Sequence, residues 1–96
     1  MMRVAVVTFE GFNEIDSILA AHILNRAPGW RAEIVAPGPT VTSMNGLEIT
    51  AQRQLEFAAE ADAVVVGSGR RTREMIGYDA LMSRLRLDPE RQLVAS

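Results

Sequence analysis

Glu14 and Asp16 stand two residues apart, shortly after an apolar run that ends at Phe9. Paired carboxylates at the carboxyl end of a strand can orient or protonate a nucleophile. The same residues also suit a helix start. Asp16 lies three positions after Asn13, a variant of the capping box, and Glu14 would sit favourably on the positive helix end. On spacing alone the capping role is the commoner. A second group is Gly67-Ser68-Gly69, between a strand-like run and a helical one. Such a turn can present backbone N–H groups to an oxyanion or a phosphate, or can be an ordinary strand-to-helix turn. No later glycine completes a dinucleotide fingerprint, and a P-loop needs a lysine that this sequence lacks. Arg70, Arg71 and Arg73 follow at once. Cations there oppose the helix dipole. They can bind an anionic substrate group or an acidic partner, although a solvated arginine face is the more frequent outcome. His22 is the single histidine and has no second ligand near it in sequence, so it reads as a packed or boundary residue, as do Trp30 and Tyr78. No metal site and no cofactor are expected.

Composition narrows the classes. The 96 residues suffice for at most one small domain, and 48% of them are hydrophobic, a globular rather than a disordered balance. The formal net charge is −2, and all ten basic residues are arginine. Scattered arginines are a poor footprint for nucleic acid, which calls for a dense basic face. With no cysteine, the chain itself contains no disulfide, thiolate metal site or thiol nucleophile. No apolar stretch is long enough to cross a bilayer, and the first apolar run is too short for a signal peptide core. The expectation is a cytoplasmic protein that binds neither membrane nor nucleic acid.

The elements that must position these residues follow from pattern. Val4 to Phe9 is a continuous β-branched run, as in a strand buried on both faces of a parallel sheet. Gly11 turns the chain and Asn13 opens a helix. Ile15, Ile18, Leu19, His22 and Ile23 have helical spacing and are expected to face the sheet. Pro28-Gly29 ends that helix. Arg31 to Ala36 reads as a second strand. Val41–Ser43 and Leu47–Thr50 flank Met44-Asn45-Gly46, a hairpin signal. Gln54 to Glu60 is a short helix or irregular connector. Ala63 to Val66 is the clearest strand. Thr72–Ile76 and Asp79–Leu85 suggest helical turns, and Gln92 to Ser96 begins a last strand. The whole, residues 1–96, is a doubly wound, flavodoxin-like α/β pattern with a β-hairpin insertion, incomplete in this chain.

Several strings, taken in order, resemble the PfpI family of glutamine-amidotransferase-like proteins, which includes isonitrile hydratases. Phe9 to Asp16 is similar to that family's glycine turn and acid-rich helix start. Val35-Ala36-Pro37-Gly38, Val41-Thr42-Ser43 and Asn45-Gly46-Leu47 resemble its second strand and hairpin. Ala61 to Gly69 resembles its strand-to-glycine turn, and Arg91 to Ser96 the strand that enters the nucleophile elbow. The resemblance implies a catalytic cysteine shortly beyond Ser96. It puts Asp16 at the acidic position that hydrogen-bonds this cysteine, and Gly69 at the oxyanion-hole position. Glu14, Ser68 and Arg70 then fall on the substrate side. The family's usual Pro-Gly-Gly turn is here Gly67-Ser68-Gly69. The Gly-Pro often found in the first helix is Leu19-Ala20, and the acidic position after it is His22.

The resemblance implies a cysteine-dependent hydrolase or hydratase acting on a small molecule, with a complementary C-terminal chain or segment supplying the nucleophile and the complete protein forming a homo-oligomer, a dimer. The alternative is a sensor-domain segment of an AraC-type transcription regulator without catalytic activity.

Overall fold

The computed structural model describes residues 1–66 and 92–95, the last three by backbone alone. The helical turns expected over 72–85 lie outside the described residues. Within them run β1 (Met2–Val7), α1 (Glu14–Asn25), β2 (Trp30–Ala36), β3 (Thr40–Thr42), β4 (Glu48–Thr50), β5 (Arg53–Gln54), a short 3-10 helix (Leu55–Ala59), β6 (Ala63–Val66) and β7 (Leu93–Ala95). The strands β5-β2-β1-β6-β7 form one sheet in that order, and every pairing in it is parallel. From β1 the chain steps to β2 on one side, and β6 then joins on the other. This is the flavodoxin-like order, with β5 added at the edge. The expected hairpin is β3–β4, an antiparallel pair inserted between β2 and β5.

Alternation along β1 divides the core. Ala5 and Val7 point to one face, where Val35, Val64 and Val66 meet Phe9, Phe12, Val41, Leu55, Ala58 and Ala61. Val4 and Val6 point to the other, against Ala32, Ala63 and Ala21 of α1. All four of these β1 side chains are buried, which is why the strand reads as an unbroken apolar run.

The helix is rotated from the expected orientation. Ser17 and Ala21 are buried and Leu24 packs on the sheet, whereas Ile15, Ile18, Leu19 and Ile23 are exposed, Ile15 by 65%, and His22 is exposed as well. Positions 17, 21 and 24 obey the same helical period as the apolar set. The small side chains of Ser17 and Ala21 let the helix lie close to the strands, so proximity rather than bulk decided the face. Trp30, expected to pack, is also exposed on the surface.

The outer edge of β2 is satisfied without a full neighbouring strand. The Asn25 side chain donates to Ala32 O at 3.0 Å and accepts from Ala32 N at 2.7 Å. Gln52 accepts from Ile34 N at 2.8 Å through its side chain, while its backbone N donates to Ile34 O at 2.9 Å. Beyond that, β5 pairs with Val35 and Ala36. On the amino side, Arg53 bonds the buried Glu33 carboxylate at 3.1 Å and lies over the Phe57 ring at 5.2 Å, with Arg3 at 6.0 Å from the same ring.

Candidate functional site

In open α/β sheets, sites form beyond the carboxyl ends of strands where the strand order reverses. Here that point lies between β1 and β6, where Val7 is in register with Val66. The segment leaving β1 is held from several sides. Thr8 donates to Val35 O through both its backbone N and its hydroxyl, each at 2.8 Å. Gly11 has φ +83, a region that glycine enters without steric cost. Phe12 is fully buried and plugs the loop into the core.

The hairpin then zips onto this loop. Gly11 N donates to Thr42 O at 2.8 Å and Met44 N donates to Phe12 O at 2.8 Å. Phe12 and Ser43 form an isolated parallel bridge, and Glu10 Oε1 accepts from Thr42 N at 3.3 Å. At the hairpin tip, Gly46 N donates to Ser43 O at 3.1 Å and Ser43 N to Leu47 O at 2.8 Å, with Gly46 at φ +86. This is the pattern of a three-residue loop with glycine in the left-handed position.

The loop delivers the two carboxylates. Asn13 is the helix cap, and its Oδ1 accepts from Ile15 N at 3.0 Å and Asp16 N at 3.4 Å. The first turn therefore holds Glu14 and Asp16 on a helix with two of its orphan N–H groups served by Asn13. Asp16 is exposed in that turn. Glu14 turns to the hairpin, where its Oε1 accepts from Asn45 Nδ2 at 2.7 Å. That bond, with the Glu14 backbone N–H, holds its carboxyl below the usual glutamate range. Partial burial opposes the shift, and Ser43 adds to it slightly. The other Glu14 oxygen and the Ser17 hydroxyl are shut off from solvent without a hydrogen-bond partner.

The structure thus places Glu14 and Asp16 together at the switch point. Gly67, Ser68, Gly69 and Arg70 lie outside the described residues. β6 ends at Val66 beside Val7, immediately before them. Asn45 belongs to the site although its sequence context marks it only as a turn residue. No local signal links it to Glu14, 31 positions away, because the contact exists only once the hairpin folds over the loop. Among the described residues no cluster of His, Asp or Glu is arranged to hold a metal ion. An open groove of about 550 Å³ lies between Pro37–Pro39 and Ala51–Gln54, and no expected site residue lines it.

No protein-family model and no curated sequence matches the chain. Solved structures do. A DJ-1 superfamily protein from Agrobacterium tumefaciens matches with 26% identity and a TM-score of 0.72, over 98% of this chain and 52% of that one. The chain has the DJ-1/PfpI fold. DJ-1beta of Drosophila melanogaster matches with a TM-score of 0.80 and 24% identity, over 98% of this chain and 54% of its own. An AraC family transcriptional regulator from Pseudomonas putida matches with 26% identity and a TM-score of 0.60, over 86% of this chain and 41% of its own. The chain spans about half the length of the DJ-1-type structures. No described helix of this DJ-1/PfpI-type chain is long and apolar enough to cross a membrane.

Proposed function

We propose that the chain supplies the acid side of a cysteine-dependent hydrolase or hydratase of the PfpI/isonitrile hydratase type, acting on a small molecule in the cytoplasm. The cysteine comes from a complementary segment or chain, and the complete protein is a homodimer. The thiolate attacks an electrophilic carbon of the substrate. Asp16 hydrogen-bonds the thiol and handles its proton, since an adjacent acid sets the protonation state of a nucleophile. The Gly69 N–H meets the negative charge that develops on the substrate. Ser68, Arg70 and Glu14 line the substrate side, with Arg70 answering an anionic group.

One observation carries this reading: Asp16 stands in the first turn of α1 at the β1/β6 switch point, while Asn13 does the capping. With Asn13 as the side-chain cap, helix capping of this kind does not account for an acid at position 16, and an acid beside a nucleophile does. The test is Asp16→Asn in the complete protein, where turnover should fall by about a hundredfold or more with thermal stability unchanged. Full turnover in that variant would remove Asp16 from the proton transfer.

The AraC-type neighbour favours a second reading, a sensor segment without catalysis. Salt-dependent DNA binding by the natural polypeptide, with no turnover of isonitriles or amides, would decide for it.

A further inference from the structure

Three observations converge on the hairpin tip. Asn45 Nδ2 donates to Glu14 Oε1 at 2.7 Å, the shortest polar contact between the hairpin and the start of α1. Asn45 is itself held, since its backbone N donates to Ser43 Oγ at 3.2 Å and Leu47 N donates to the same oxygen at 3.0 Å. The loop between the two elements is tied to the hairpin by backbone bonds at Gly11 and Met44 and by the Phe12–Ser43 bridge. The hairpin therefore grips the segment before α1 through its backbone, and reaches Glu14 on the helix chiefly through the Asn45 side chain, with a smaller contribution from Ser43.

We propose that Asn45 is a positioning residue for the candidate site, clamping Glu14 to the hairpin and so setting the orientation of the first turn that carries Asp16. The inference rests on the proposed function only for its catalytic consequence. The clamp itself is a statement about Glu14 and Asn45. A carboxylate held by an amide donor loses less conformational freedom on reaching its working geometry than one that must be ordered for each turnover. The effect reaches Asp16 through two residues of continuous helix.

The test uses the protein in its natural assembly. Asn45→Ala removes the donor, and Glu14→Gln combined with Asn45→Asp exchanges donor and acceptor across the same gap. Isotope-edited NMR follows the Glu14 carboxyl through a pH titration, independently of any activity. In Asn45→Ala the Glu14 titration should move up toward the ordinary glutamate range, and kcat should fall about tenfold, as for one lost hydrogen bond to a charged group. KM should change little. The exchanged pair should recover most of the lost kcat, because a bond of the opposite polarity again ties helix to hairpin, while the loss of the Glu14 charge on the substrate side is read in KM. An unmoved Glu14 titration in Asn45→Ala overturns the clamp. A moved titration with kcat unaltered, or an exchanged pair no faster than Asn45→Ala, overturns the positioning role. If no turnover of the proposed class exists, the titration still tests the clamp, so the two readings fail separately.

Discussion

At the scale of single residues, Glu14 makes folding sensitive to acid. Its carboxyl is held below the usual range chiefly by Asn45, so the folded state binds that proton less readily than the unfolded chain. Stability from this group is complete above the unfolded glutamate pKa and is lost as pH falls through the lower, folded one. Denaturant melts across that acidic window should show a smaller loss in Asn45→Ala than in the natural protein. Asn13 carries a separate role. Replacing it with alanine should cost about 1 kcal/mol by chemical denaturation, because two N–H groups lose their acceptor. On the proposed oxyanion-hole role, Gly69→Val in the complete protein should lower kcat by about a hundredfold, because the added side chain blocks approach to the backbone N–H as effectively as losing one donor. Ser68→Ala should do far less, and Arg70→Ala should raise KM for anionic substrates alone. Equal and mild effects from all three would reduce the turn to scaffold.

At the scale of elements, the strands were legible because continuous β-branched runs such as Val4–Val7 and Ala63–Val66 have few other uses in a chain of this size. The helix start was legible through Asn13. Its buried face was not. Ile15, Ile18, Leu19 and Ile23 outcompete Ser17 and Ala21 in any count of apolarity, yet a helix lying close over β1 and β2 needs small side chains underneath. The edge strand β5 escaped notice because two residues, Arg53 and Gln54, carry no pattern. Of the candidate site, the place of the two carboxylates at the helix start was legible from type and spacing, and the glycine turn lies outside the described residues. The clamp from Asn45 was not legible, since it depends on contacts across the fold. The hairpin's grip also has an energetic counterpart in Phe12, fully buried between the loop and the core. Phe12→Ala should destabilise the protein by about 3–5 kcal/mol and loosen the first turn of α1 with it, measurable as faster amide exchange at Ile15 and Asp16.

At the scale of the whole molecule, four large aliphatic side chains along the outer face of α1 are a surface that monomers seldom leave bare. Within the proposed assembly, Ile18→Glu with Ile23→Glu should shift sedimentation toward a smaller species while the far-ultraviolet dichroism stays the same. The outer edge of β2 behaves differently. A parallel sheet that stops at β2 would offer a row of free N–H and C=O groups, a template for strands of other chains. Asn25 and Gln52 fill those rungs with their own amides, and β5 covers only the last two residues. The sheet is therefore finished on this side by side chains imitating a strand that is not there, which denies an incoming fibril seed its first hydrogen bonds. Removing both side-chain amides reopens Ala32 and the Ile34 N–H, and thioflavin-positive aggregates should then form sooner at concentrations where the natural chain stays clear.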